Sequence, residues 1–514
     1  MEVFEVFFIR HNIDPLVNYT RAKVDGTIDD NLMKKQAATT TPLSVALPQK
    51  ATCQQHSTAS NATGWHTKED DCQNGGPEPR LPPGRFGGTV LIARPSARLG
   101  FLCKALSFSL LLTAVTFSLQ TSAFPSPFTV VAQSTAAKAS LQSVTVPFEL
   151  VNKHMVLKVR VNNSRPLSFV LDTGDQFAII DLELAKTIGL SLGAQVKVGG
   201  AGAATQSGAF VKNASFTIPQ LPGFSQRVTM ALPIRTLAPR LGQDFDGIIG
   251  SEFIEQFVVE IDYINHELKL HKKDRFSYDG PGDIVPIQLR HGHPIVDATV
   301  TPAGTTPLKG KFVLDLGAGL ALALYSPFVT SQQLLKSDIK TIKSLGGAGA
   351  GGETVGEIGR VLELTIGRFK IDQPITLFSQ DKAGAFADAG LSGNIGARIA
   401  SKFRLFLDYD RKRIIFEPNK NFDQPFDQAQ SGMSLVAEGA DYRIFRVRRL
   451  MENSPASEAG IQQDDIIESV NGESAKQFTL SRLNEMFERP ERYKLTIRRN
   501  ETMLERVLIP RRMI

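Results

Sequence analysis

The sequence predicts a mainly β protein: two tandem copies of one β unit followed by a small α+β domain. Three observations carry this. From Val144 the chain breaks into short apolar runs separated by Gly, Pro and Asn, as in Met155-Val156-Leu157-Lys158-Val159-Arg160-Val161 before Asn162-Asn163, which is the pattern of strands joined by turns. A set of markers then recurs in one order and at nearly one spacing. After Asn419 a polar, Gln- and Asp-containing linker leads at Gly432 into a segment with a different pattern.

At 514 residues the chain exceeds one core, and 42% hydrophobic with 21% charged residues is ordinary for soluble domains. The net charge of +6 is spread out, with no basic run interleaved with aromatics, so a nucleic-acid partner is not expected. Residues 1–90 form a low-complexity extension, read as spurious or disordered, since Thr, Gln, Asn, Pro and Gly dominate from Ala37 to Gly88 without apolar periodicity. Residues 91–132 have the build of a secretory signal peptide: Arg94, Arg98 and Lys104 precede the apolar run Ala105 to Leu119, and small-residue sites follow. The run is shorter than the ~20 apolar residues of a membrane span and is broken by Ser and Thr, so no stable span is expected after cleavage. The reading is therefore an exported protein, periplasmic or secreted, with its true start near Val90 or Leu91. Cys53, Cys72 and Cys103 all lie before or within this region, so the mature part needs neither a disulfide nor a thiolate metal site.

The first copy spans 144–279 and the second 283–419, with Gly280-Pro281-Gly282 as the linker. Val146-Pro147-Phe148-Glu149-Leu150 recurs as Val285-Pro286-Ile287-Gln288-Leu289. Phe169-Val170-Leu171-Asp172-Thr173-Gly174 recurs as Phe312-Val313-Leu314-Asp315-Leu316-Gly317, an offset of 315 − 172 = 143. Gly199-Gly200-Ala201-Gly202-Ala203 recurs as Gly346-Gly347-Ala348-Gly349-Ala350, and Gly247-Ile248-Ile249-Gly250 as Gly393-Asn394-Ile395-Gly396. The first copy also predicts a short helix from Leu182 to Ile188, closed by Gly189. Burying an ionised carboxylate beside aliphatic residues is costly unless it is paired or neutralised, so two apolar strands that each end in Asp point to acids that serve each other.

A duplicated apolar strand ending in Asp-Thr-Gly, each with a later apolar strand ending in Gly, resembles the pepsin and retropepsin class of aspartic peptidases over about Val144 to Asn419. The Gly- and Ala-rich flap segments are closer to bacterial retropepsin-like proteins. The resemblance implies a two-lobed acid-protease β-barrel fold and a dyad, Asp172 and Asp315, that binds one water and shares one proton, supported by Thr173, Gly174, Leu316 and Gly317. It also implies that Gly199, Gly200, Gly202, Gly346, Gly347 and Gly349 belong to flaps closing over an extended peptide. Peptides or unfolded proteins are the expected substrates, with no cofactor and no metal. Three residues depart from the family pattern. Leu316 stands where a second hydroxyl would complete the grip between the loops, Asp175 adds a third acid expected to raise the dyad's pKa, and Asn394 replaces an apolar residue. An inactive peptide-binding adaptor on the same fold is the alternative. His154, His266, His271, His291 and His293 show no metal-ligand spacing and read as surface or strand residues.

Residues 432–512 resemble a PDZ domain of the kind attached to bacterial proteases, through Ser454-Pro455-Ala456-Ser457-Glu458-Ala459-Gly460-Ile461 and Asp464-Asp465-Ile466-Ile467-Glu468-Ser469-Val470-Asn471-Gly472. Asn471-Gly472 predicts a tight hairpin, Thr479 opens a helix to Glu488, and Tyr493 to Ile497 is a strand. The resemblance implies capture of protein C-termini by strand addition, with Asp441, Tyr442, Arg443, Ile444 and Phe445 in the binding loop. A purely structural cap on the second lobe is the alternative to this module, which as a binding domain is expected to be removable without unfolding the peptidase.

Overall fold

The computed structural model describes residues 9–10, 143–344, 347–426 and 430–514. Residues 91–132, expected to be a signal peptide, Gly346 and all of residues 1–90 except Ile9–Arg10 lie outside the described residues; Ile9–Arg10 pairs antiparallel with Gly199 and Gly200.

Each lobe is wound around its aspartate strand. In the first, Leu167–Leu171 is buried at all five positions, antiparallel to His154–Val161 and parallel to Gly247–Ile249, with Phe169 opposite Gly247. A Cβ at 247 would meet the ring of Phe169, which is the physical reason that this strand opens on glycine. The second lobe repeats the arrangement: Leu308–Asp315 lies antiparallel to His293–Thr301 and parallel to Gly393–Gly396, with Phe312 opposite Gly393. Both lobes carry a short helix after the aspartate strand. Leu182–Thr187 is capped by Asp181, whose carboxylate accepts from the Leu184 N–H, and Ser326–Ser331 is its counterpart.

The lobes meet in a six-stranded sheet. Val258–Asp262 pairs antiparallel with Phe403–Asp408, Val259 opposite Leu407 and Asp262 opposite Arg404. Outside this pair lie Glu267–His271 and Ser143–Pro147 on one side, and Arg413–Pro418 and Asp283–Arg290 on the other. The order is symmetric about the central pair, so a pseudo-twofold axis passes through it and one apolar core runs through both lobes.

The C-terminal domain is a sheet ordered Met433–Glu438, Ile444–Leu450, Ile466–Val470, Tyr493–Arg499, Thr502–Leu508 over a separate core of Phe445, Val447, Leu483, Phe487, Tyr493, Leu495 and Ile497. Thr479 caps the helix Leu480–Phe487 by accepting from the Arg482 N–H at 3.1 Å. Asn471 and Gly472 both have positive φ, as a tight primed hairpin turn demands. This domain is not a loosely tethered module. Ser481 and Asn484 on its helix hydrogen-bond the turn residue Asn152 of the first lobe, and Leu480 lies against Gly242. Arg398 of the second lobe is ion-paired with Glu488, and the terminal Ile514 is buried in the core shared by the lobes.

Candidate active site

Each aspartate strand delivers its carboxylate to the pseudo-twofold axis at the end of a parallel strand pair. Asp172, Thr173 and Asp315 are each fully buried. Asp172 Oδ1 accepts from the Gly174 N–H at 2.6 Å, Asp315 Oδ1 accepts from the Gly317 N–H at 3.1 Å, and the two carboxyls act on each other's ionisation. The glycines are crossed. A Cβ at 174 would stand 2.7 Å from Asp315 Oδ1, and one at 317 would collide with the Asp172 carboxyl, so neither loop tolerates a side chain if the acids are to meet.

The Thr173 hydroxyl ties the loops together, donating to the Leu314 carbonyl at 2.5 Å and accepting from the Leu316 N–H at 2.9 Å. Leu316 is fully buried among aliphatic neighbours and returns no hydroxyl. A third bond across the lobes comes from His293 Nδ1, which lies 3.3 Å from the Thr173 carbonyl; a carbonyl only accepts, so Nδ1 carries the proton. The strand registers pair Val156 with Val170 and Ile295 with Val313, which makes His154 and His293 equivalent residues of the two copies. They are strand residues, as expected, but 1% and 8% exposed rather than on the surface. His271, by contrast, bonds Glu260 at 2.7 Å, away from the dyad.

Asn394 is the residue that pattern reading undervalued. Its side-chain amide donates to Asp315 Oδ2 at 2.6 Å, and its own oxygen accepts from the Tyr325 hydroxyl, whose ring stacks on Phe386. The two acids are therefore unequal. Burial, then the charges of Asp315 and Asp175, drive Asp172 well above the ordinary carboxylate range, against one backbone N–H from Gly174. Burial pushes Asp315 up to about 7, opposed by hydrogen bonds from Asp172, Gly317 and Ala318. Asp175 contributes to both shifts in the direction expected from sequence; its Oδ1 accepts from the Phe177 N–H at 3.0 Å.

Of the flap residues, Gly200, Gly202, Gly347 and Gly349 are buried and Gly199 half-buried. The hairpin Ser191–Gly200 and Thr205–Lys212 turns at Gly202, with φ +93°, and a tip hairpin of the second lobe, Ala348–Gly349 with Gly352–Glu353, meets it. The Gly351 N–H donates to Ala201 and the Ala204 N–H to Gly351, both at 2.8 Å, so the two flaps are hydrogen-bonded tip to tip. In the C-terminal domain the predicted binding loop faces the first lobe. The Tyr442 hydroxyl lies 3.4 Å from Asp244 Oδ1, Arg443 donates to the Phe478 carbonyl, Asp441 accepts from the Arg443 N–H, Phe445 is in the domain's core, and Ile444 is 37% exposed. Among the described residues no cluster of His, Cys, Asp or Glu could hold a metal ion.

The two equivalent lobes, with an aspartate from each at their common axis, are the arrangement that the sequence resemblance implied. Residues 157–253 match the family described as aspartyl protease, and residues 446–499 match the PDZ domain. No curated protein matches. Among solved structures, the chain is similar to the crystal structure of the aspartic proteinase from Irpex lacteus, with 14% identity over 55% of this chain and 99% of that chain and a TM-score of 0.38.

Proposed function

We propose that the chain is an exported aspartic endopeptidase in which Asp172 and Asp315 activate a water against the scissile peptide bond. The observation that carries this reading is the pair of fully buried carboxyls that shift each other's ionisation and have unequal support. Hydrogen bonds to the ionised form favour that form, so Asp315, which accepts from Gly317 and Asn394, is the carboxylate, and Asp172 holds the shared proton. Asp315 takes a proton from the water as it adds to the carbonyl carbon, while Asp172 gives its proton to the carbonyl oxygen. The gem-diol then collapses as the C–N bond breaks: Asp315 gives its proton to the leaving amine and Asp172 takes one from a gem-diol hydroxyl, which restores the starting dyad. The flaps, joined over the cleft, exclude bulk water and meet the backbone of an extended substrate through glycines.

Peptides or unfolded proteins are the substrates of this reading, and protein C-termini the ligands of the PDZ domain. Cleavage of casein by the purified chain between about pH 3 and 8, a range that contains the working window of such a dyad, is the test. Absence of cleavage throughout would leave the peptide-binding adaptor. Export rests on the basic, apolar and small-residue pattern of 91–132; among the described residues no helix is long and apolar enough to cross a membrane. Sequencing the mature N-terminus from the native host is expected to place it between about Phe124 and Ala136, and a cytosolic product starting at Met1 would refute export.

A further inference from the structure

The PDZ domain touches the flap. Glu353, at the end of the second lobe's tip hairpin, is ion-paired with Arg448 and Arg449 on the PDZ strand Ile444–Leu450, and Arg240 of the first lobe approaches it at 3.6 Å. One carboxylate thus meets three guanidinium groups from two other parts of the molecule. Burial would raise its pKa, but the hydrogen bonds from Arg448 and Arg449 outweigh this and hold it below the ordinary value. Between the first lobe and the PDZ sheet lies a cavity of about 550 Å³ lined by four arginines, Arg240, Arg446, Arg448 and Arg449, and by two acids, Glu438 and Asp464. Arg446 is ion-paired with Glu438 at 2.9 Å, whereas Arg448 and Arg449 are both ion-paired with Glu353.

The same junction covers the strand-adding edge. Met433–Glu438 is an outer strand of the PDZ sheet, and the first-lobe helix Ala238–Leu241 packs against it, with Gly242 closing the helix against Leu480. The edge on which an extended ligand adds a strand is therefore occupied by the peptidase itself. Any peptide that takes this edge displaces a segment adjoining Arg240, and a carboxylate it carries into the cavity competes with Glu353.

We infer that this arginine-lined cavity is a ligand site for a peptide bearing carboxylates, and that filling it releases Glu353 and frees the second flap to open. The inference rests on the reading of the PDZ domain as a peptide-binding module and gives it a consequence: the domain gates the cleft instead of only delivering substrate. A ligand shifts a closed state only by its differential affinity for the open one, and here the difference comes from arginines that serve either Glu353 or the ligand.

Hydrogen exchange at Ala348–Glu353 in the full chain tests it, with a short Glu-Ala peptide carrying a free C-terminal carboxyl as probe and its amidated Gln-Ala analogue as control. Exposed ion pairs are individually weak, so the expected response is an acceleration of exchange of several-fold to roughly tenfold with the acidic peptide and little with the analogue. Glu353→Gln should exchange fast without any peptide, and the Arg448→Ala/Arg449→Ala chain should do the same and lose the response. Flap exchange that ignores both the peptide and Glu353→Gln overturns the inference. Because exchange needs no cleavage, a chain that cuts nothing while its flap responds refutes the peptidase reading alone, and one that cuts while its flap does not respond refutes the gate alone.

Discussion

The hydroxyl of Thr173 accepts the backbone N–H of Leu316 across the lobe boundary at 2.9 Å while donating to Leu314, and the Thr173 carbonyl is held in turn by His293. Three bonds from the second lobe converge on one residue of the first. In a symmetric grip the residue at 316 would return the hydroxyl bond, and its place is taken by a hydrophobic side chain.

His293 is therefore expected to matter more than a buried strand residue ordinarily does. His293→Ala should lower kcat about tenfold or more, since small misplacements of reacting groups are expensive, whereas His293→Asn, which keeps a donor near Nδ1, should retain most activity. Adding Leu316→Thr to His293→Ala should restore part of the loss by supplying a second hydroxyl to the loops. Kinetics of the three chains against a peptide substrate decide this; equal loss in Ala and Asn, without rescue, would mean that His293 only packs.

The dyad should cost stability as pH rises. Asp172 has a folded pKa raised well above the ordinary value, chiefly by burial, so the folded chain binds more protons than the unfolded chain between the two pKa values. Stability then falls as pH rises from about 4. Asp172→Asn keeps an oxygen for the Gly174 N–H and directs an amide toward Asp315. It is expected to be more heat-stable than the parent at pH 7 and nearly equal to it at pH 3.5. Melting curves at both values would contradict the charge argument if the gain were the same at each.

The Asn394 amide donates to Asp315 Oδ2, a bond that favours the ionised form, so its removal should raise the pKa of the acid proposed as the base. With Asn394→Leu combined with Tyr325→Phe, which leaves no buried hydroxyl without its acceptor, the acidic limb of the kcat/KM profile should move to higher pH. A limb that stays in place would show that Asn394 does not tune the base.

Removal of Gly432–Ile514 was expected from sequence to leave the peptidase intact, but Ile514 is buried in the core shared by the lobes and the turn at Asn152 bonds the PDZ helix. The shortened chain should therefore unfold at lower denaturant concentration than the full chain. An unchanged midpoint would show that the docking adds nothing to the fold.

The aspartate strands were legible because burial and a fixed pairing register force each copy to spend the same residue types at the same spacing, from Phe169 to Gly174 and from Phe312 to Gly317. The equivalence of His154 and His293 was present in the repeat too, but at 139 residues instead of 143, and without the strand register nothing ties them to the loops. The role of Asn394 depends on a neighbour 79 residues away in sequence, and the flap contact of Glu353 on arginines 95 and 96 residues on. Such long-range polar pairs leave no local period for a pattern to detect. Gly346 lies outside the described residues, so its place in the flap rests on the repeat.

Whether two buried aspartates cut peptide bonds by sharing one proton is tested most directly by casein cleavage with the parent chain beside Asp172→Asn and Asp315→Asn, each shown to be folded. Cleavage by the parent is expected, with a loss on the order of 10²–10⁴-fold in either variant, the scale of removing one general acid or base. Undiminished cleavage by either variant would contradict it.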